Sequence, residues 1–348
     1  MDWAMWAINN ETGFAAERNW VRDRNGAEVW IVSVKGTYTI AEDGSLKLAE
    51  KQEPVTFGPK YRGEPTQSSL LYETDLMLTK AATDVVVNAT AYAPYSHPVE
   101  SIEVSIQISE WCKKLSVYGD RQWQFGGVTW PEPFLTMPIT YERAFGGIDE
   151  DSINKRVFGW ERRNPIGAGF ATSADRASGR LLPNIENPSS QISSWKSRPA
   201  PAGFGAIAAH WSPRVELAGT YDERWQHERL PLVPDDFDER FYQFAPFDQQ
   251  LPNLRGGERV VLTNLTASGK LAFRLPRVAL AFETDFCGET VQHRANLHTI
   301  IIEPDVPRVM MVWQTSLLCH SNVLKLRQTT ITEKFFINRD NRPDEEDA

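Results

Sequence analysis

Prolines and tryptophans crowd into one stretch of this chain, roughly residues 125–255. Trp130-Pro131-Glu132-Pro133, Asn164-Pro165, Leu182-Pro183, Asn187-Pro188 and Pro199-Ala200-Pro201 all fall there. Proline offers no backbone N–H and breaks strand ladders, so this stretch cannot supply the central strands of a sheet. Its aromatic content is also too high for a disordered linker. The pattern predicts ordered loops packed by aromatic rings, with two short helices. Thr220-Tyr221-Asp222-Glu223 and Asp236-Phe237-Asp238-Glu239 each place a capping residue three positions before a glutamate, which is the capping-box spacing.

Such a middle has to be carried by regular structure on either side, and both flanks read as strands. Val29-Trp30-Ile31-Val32-Ser33-Val34-Lys35-Gly36-Thr37-Tyr38-Thr39-Ile40 is rich in β-branched and aromatic residues. Glu42-Asp43-Gly44 supplies a turn, and Ser45-Leu46-Lys47-Leu48 begins a return strand, as in a hairpin. Residues 85–92 read as one further strand. Ile102, Val104, Ile106 and Ile108 alternate with polar neighbours, which places them on one buried face. After the middle, residues 260–262, 271–275, 278–282, 299–302, 309–313 and 329–337 are strand-like and separated by short turns. This spacing predicts a mainly β fold of antiparallel, sandwich-like or barrel-like sheets rather than βαβ units.

The organisation expected is one compact mainly β unit over residues 1–340. It is strand-rich over 20–120, loop-rich over 125–255 and strand-rich again over 256–338. Residues 339–348, with Asp344-Glu345-Glu346-Asp347, read as an acidic tail. At 348 residues the chain can bury a large core and needs neither disulfide nor metal to fold.

The formal net charge is −9, so a polyphosphate partner would be repelled unless a local basic patch prevailed. The sequence shows none. The basic clusters at 18–24 and 161–163 are diluted by acids, and nucleic acid is not expected as a partner. Cys112, Cys287 and Cys319 are odd in number and widely spaced, which fits free thiols in a reducing cytosol better than a disulfide framework. The N-terminus has Asp2 where a signal peptide carries bases. No uncharged run approaches the ~18 residues of a membrane helix. The expectation is a soluble, cytoplasmic protein that does not engage membrane.

Signals for chemistry are weak. Cys287, His293, His298, Cys319 and His320 lack the close paired spacing of a zinc site, and no metal or cofactor is expected. Gly203-Phe204-Gly205-Ala206-Ile207-Ala208 matches a dinucleotide fingerprint in letters. It has prolines where the preceding strand should be, so tight turns against aromatics explain it better. Asp120, Arg121, Glu142 and Arg143 are the residues an enzymatic polar cleft would use, alongside Asp222. Without a visible base or nucleophile they read as loop ties. The chain is therefore not expected to be an enzyme.

The unusual motifs are informative together. They run in order as Lys35-Gly36-Thr37-Tyr38, Asp43-Gly44, Lys80 with Asp84-Val85, Trp111-Cys112-Lys113-Lys114-Leu115, and Gly119-Asp120-Arg121 with Trp123. Met137-Pro138 and Tyr141-Glu142-Arg143-Ala144-Phe145-Gly146-Gly147 follow, then Asn164-Pro165-Ile166-Gly167-Ala168-Gly169-Phe170 and Leu182-Pro183-Asn184-Ile185-Glu186. The series ends with residues 199–205, Trp211 with Pro213-Arg214, Gly219-Thr220-Tyr221-Asp222 with Trp225, Asp236-Phe237-Asp238 and Ala245-Pro246-Phe247-Asp248-Gln249. With these motifs, over about residues 20–290, the chain resembles a bacterial domain-of-unknown-function family of adaptors, or chaperones, for type VI secretion effectors. These are encoded beside PAAR effectors and valine-glycine-repeat spike proteins.

The resemblance implies a protein that binds and stabilises a secreted effector (a toxin) and helps load it through a PAAR tip protein. The valine-glycine-repeat spike would be an indirect partner. It carries no catalytic residues over. Glycine for turns, proline for rigid loops and tryptophan for loop packing mark most motif residues as determinants of the fold. A reversible adaptor would use large aromatics and arginines on ordered loops as anchors. Trp123, Trp130, Trp160, Trp195, Trp211 and Trp225 are the candidates for such a face, with Asp120, Arg121, Glu142, Arg143, Asn164, Arg214, Asp222 and Asp236 as further motif residues. A structural component of the secretion apparatus is the other non-enzymatic alternative.

Overall fold

The 28–40 segment, the strongest strand in the sequence, is the longest strand of the fold, and nearly all of it is buried. The structure, a computed structural model, describes residues 5–124, 127–252, 254–320 and 322–334. Glu28–Ile40 lies inside a seven-stranded sheet. Its order is Gln250–Leu251, Thr83–Val87, Asn296–Glu303, Arg308–Leu318, Glu28–Ile40 and Ala15–Arg22, with Leu46–Leu48 paired to the end of 28–40. The 83–87 and 296–303 strands run parallel, and the other neighbours are antiparallel. A five-stranded antiparallel sheet has the order Ile185–Glu186, Trp111–Tyr118, Ser101–Ile108, Arg259–Thr263 and Lys270–Arg274. A four-stranded sheet orders Ala7–Asn10, Gln328–Glu333, Leu280–Asp285 and Thr290–His293, its first pair parallel.

Strand alternation decides what each face of the seven-stranded sheet buries. Trp30, Val32, Val34, Val85, Val87, Ile300, Ile302, Val309, Met311 and Trp313 point to one side. There they pack with Val104, Ile106, Ile108 and Leu115 of the five-stranded sheet and with Phe282 and Ile331 of the four-stranded sheet. The fold is mainly β and sandwich-like. Among the described residues no sheet closes into a barrel.

The opposite face is covered by loops. Val86, Ile301 and Met310 meet Tyr141, Ala206, Trp211 and Phe244 of the proline-rich middle. Val29 and Ile31 meet Val55 and Leu76. Polar side chains share this face. Lys35 pairs with Asp75 at 2.9 Å, and Asp84 pairs with Lys80 at 2.6 Å, all four side chains being almost fully buried. The Asp84 carboxylate also accepts from the Phe244 and Ala245 amides and from the Gln243 carboxamide. Arg214, on the loop layer, pairs with Glu73 at 2.6 Å and donates to the carbonyls of Ile207 and Phe241. These pairs pin the loops to the sheet.

The most recognisable motif block is an interlock of two loops. Phe145–Gly146 pairs in parallel with Ala168–Gly169. Between them the buried Asn164 carboxamide donates to the Tyr141 and Phe145 carbonyls at 2.7 and 3.1 Å. Gly147 has φ +100°, and a Cβ there would overlap the Gly167 carbonyl oxygen. Only glycine fits that approach.

Several expectations need correction. Residues 85–92 are not one strand. They divide into Thr83–Val87 and Thr90–Tyr92, which join different sheets. The break falls at Asn88, whose side chain donates to Glu303 and accepts from Arg62. The two short helices start two residues later than the capping pattern predicts. Asp222 caps Glu223–Glu228 and Asp238 caps Glu239–Tyr242. Asp236 instead accepts from the amide and hydroxyl of Thr220, tying together the two positions predicted as caps. The last strand is Gln328–Glu333, whereas residues 335–337 and the acidic 339–348 segment lie outside the described residues. The three cysteines are free thiols. No helix is long and apolar enough to cross a membrane, among the described residues.

Candidate interaction surface

In the middle region a hairpin, Ile148–Glu150 paired with Val157–Trp160, stands on a single buried carboxylate. Alternation turns Ile148 and Glu150 outward and Asp149 inward, where it is fully buried. Asp149 accepts from the amide and hydroxyl of Thr172 and from the guanidinium groups of Arg176 and Arg180. Burial alone would raise its pKa, but the Thr172 bonds and the two arginines outweigh burial and hold it below the usual aspartate value. The opposite position of the hairpin is Gly159, a Cβ on which would sit 3.2 Å from the Thr172 methyl. The inner face therefore lies close against the body.

What remains outside is largely apolar, with the Glu150–Lys155 ion pair and Arg156 among it. Ile148 faces Trp160 in the register, and both are about half exposed. Val157 and Phe158 are exposed beside them, and Ile153 at the turn is 92% exposed. Hydrogen bonds join neighbouring segments to it. Arg180 donates to the Ile148 carbonyl, its neighbour Leu181 bridges Gln122, and Trp123–Gln124 pairs with Gly127–Val128. Leu181 and Val128 are exposed, and Trp130, two residues further, is 86% exposed. Arginines frame the aromatics: Arg176 lies 3.7 Å over the Phe158 ring and Arg156 lies 5.2 Å from it. At the hairpin base Arg163 grips Glu161 with two hydrogen bonds, 2.8 and 2.7 Å, and also holds the Pro199 carbonyl. Exposed tryptophan, isoleucine and arginine on anchored segments have the composition of an interaction hot spot.

Of the residues singled out in the sequence, Trp130 and Trp160 reach this surface. Trp123 and Trp211 do not contribute to an exposed face, because they are 7% and 1% exposed. Trp211 packs edge-on against Tyr141 at 5.6 Å in the loop layer. Trp195 is half-buried beside the Trp123 cluster. Trp225 stacks edge-on with Tyr221 and donates to the Leu232 carbonyl, inside the short helix that Asp222 caps. Asn164 and Arg214 are buried ties.

Of the five residues expected in an enzymatic cleft, Asp120 and Arg143 approach each other, while Arg121, Glu142 and Asp222 bond elsewhere. Asp120 and Arg143 meet at 3.9 Å through Asn184, which donates to Asp120 and accepts from Arg143. Arg121 turns inward to Glu186 at 2.6 Å and lies 3.9 Å over the Tyr118 ring. Glu142 accepts from the Ser69 amide and hydroxyl. Burial pushes its pKa up, yet these and neighbouring hydrogen bonds hold it below the usual value. Among the described residues no three histidine, cysteine or acidic side chains gather as metal ligands would.

Sequence reasoning missed Asp149, Arg176 and Arg180, which seat the surface, and Ile148, Phe158 and Leu181, which form it. The only local signal was the Ile148-Asp149-Glu150 alternation, too short to separate from a loop.

Fold and surface together define a mainly β protein in which loops, pinned by buried charges, present an apolar and arginine-framed face. The chain belongs to DUF2169, an uncharacterized protein family conserved in bacteria, whose family model matches residues 25–314. No curated protein and no solved structure matches the chain.

Proposed function

We propose that this protein is a binding adaptor that holds a partner protein against the Trp130–Trp160 surface. The observation that carries this reading is the run of exposed apolar side chains on hydrogen-bonded, arginine-framed segments. Apolar residues grouped on anchored segments mark protein contact sites, whereas isolated ones do not. The resemblance drawn from the sequence motifs supplies the finer reading. The partner is a type VI secretion effector, which the adaptor stabilises and helps load through a PAAR tip protein onto the spike.

Co-expression tests this directly. The tagged chain, produced with the effector and PAAR proteins encoded beside its gene, is expected to elute as a stoichiometric complex by light scattering. The effector is expected to be degraded in its absence. The double variant Trp130→Ala with Trp160→Ala should lose the complex while melting as the parent does. A lone monomer, with effector abundance and loading unchanged, would refute the reading.

A further inference from the structure

A second surface, on the other side of the proline-rich middle in sequence, has the opposite chemistry. Arg259 and Arg274 are directly opposed in the register of the outer hairpin of the five-stranded sheet, and both are exposed. Arg274 donates to the Gly257 carbonyl, and Arg277 lies against the same glycine, its Nε in the space a Cβ would need. Arg255 is exposed two residues before Gly257. The hairpin thus gathers four arginines that the sequence scatters over residues 255–277. Among the described residues the side chains of Arg255, Arg259 and Arg277 make no ion pair or hydrogen bond. Elsewhere in this chain of net charge −9, Arg121, Arg163, Arg176, Arg214 and Arg308 are committed to carboxylates.

Arg259 and Arg274 rim a groove of about 610 Å³ between this hairpin and the turn joining the 28–40 and 46–48 strands. That volume falls in the range of ligand clefts, about 300–1,000 Å³. Leu46, Leu48, Phe273 and Pro276 give it an apolar floor. The turn that forms its wall is fixed. Gly44 sits so close to the 270–274 strand that a Cβ would collide with the Ala272 carbonyl oxygen. Asp43 is the acid within the groove, and its carboxylate accepts from the Ser45 amide inside that turn.

We infer that this groove binds an acidic, extended peptide segment of a partner protein. Guanidinium groups match carboxylates with paired hydrogen bonds. The apolar floor takes the methylene carbons of glutamate or an interspersed apolar side chain. Two features favour a peptide over nucleic acid. The overall negative field opposes a long polyphosphate. Asp43, within the groove, leaves room for single carboxylates spaced along a chain, but would oppose densely packed phosphates. The groove lies apart from the Trp130–Trp160 surface, so this inference does not depend on the adaptor reading.

The test is fluorescence anisotropy with the full chain and a labelled decapeptide of alternating aspartate and glutamate. The comparators are a glycine–serine decapeptide and a ten-nucleotide oligothymidylate. The acidic peptide is expected to bind, and added salt to weaken it. The variant Arg259→Glu with Arg274→Glu should lower affinity at least tenfold, and the milder Arg259→Gln about threefold, without change in melting temperature. Arg18→Glu with Arg22→Glu, an equal charge change on a different strand, should leave affinity within twofold. Three results would overturn the inference: an equal loss in that charge control, oligothymidylate binding as tightly as the acidic peptide, or failure of the peptide to bind. Removing residues 339–348 completes the test. Unchanged affinity supports a partner as the occupant, and a rise would assign the groove to the chain's own acidic terminus instead.

Discussion

The two faces of the seven-stranded sheet are built on different principles. One face is mostly apolar, with Trp30, Val32, Val85, Ile300, Ile302 and Met311 packed against other strands. The other alternates apolar residues with buried charge: Lys35 with Asp75, Lys80 with Asp84, and Glu303 with Arg308. Apolar contact is non-directional and serves well where the partner is a sheet with its own ladder. A layer of irregular loops has no such ladder. Its backbone groups need named partners, and the sheet supplies them: Asp84 receives two loop amides. The charged face therefore fixes where each loop lies, at a desolvation penalty that the apolar face avoids.

Mutations that strike one face and spare the other should separate these roles. The largest effect is expected from Asp84→Ala. It leaves Lys80 buried without its carboxylate and the Phe244 and Ala245 amides without their acceptor, for a loss of about 3–5 kcal/mol in urea unfolding. A loss below about 1 kcal/mol would show that the loops are held by packing alone. On the apolar face Ile302→Ala should cost about 3 kcal/mol through cavity formation and leave the loop layer in place. Limited proteolysis of residues 200–250 should thus increase for the first variant and not for the second.

A pH titration sharpens the comparison next. Burial, reinforced by Lys80, holds the pKa of His298 down at about 3, and burial lowers that of His293 to about 4. Each has its folded value below its unfolded value of about 6.5, so each stays neutral in the fold while the unfolded chain takes up a proton. Stability should be full above about pH 6.5 and decline as pH falls toward those lower values. The slope is at most about 1.4 kcal/mol per pH unit for each histidine. His298→Gln should flatten the decline, and an unchanged slope would exclude His298 as its source. The smallest effect on stability, within about 1 kcal/mol, is expected for Trp130→Ala with Trp160→Ala, because neither ring is buried.

Particular residues show what the sequence made legible. The 102–108 alternation and the β-branched, aromatic run at 29–40 correspond to observed strands, because strand periodicity is local. The break at Asn88 was not readable, since its side-chain partner Glu303 lies 215 residues away. The helix caps were misplaced by two residues because Thr220 and Asp222, and likewise Asp236 and Asp238, are each chemically able to cap. Only tertiary contact chose between them. For the surface, composition drew attention to tryptophans but could not sort them. Trp211 and Trp130 occupy equally proline-rich contexts and end at 1% and 86% exposure. The arginine groove was invisible because Arg259 and Arg274 become neighbours only through hairpin register.

The hairpin that stands on Asp149 separates two kinds of constraint. Its anchor answers to the interior through Thr172, Arg176 and Arg180. Its outward residues Ile148, Ile153, Val157 and Trp160 are exposed and, under the adaptor role we propose, would answer to the partner. Partner choice can then diverge between relatives by substitution at a few outward positions, with the scaffold untouched. Residues 148–160 form a natural unit for transplantation: moved between two members of the family with the anchor retained, they should carry recognition with them.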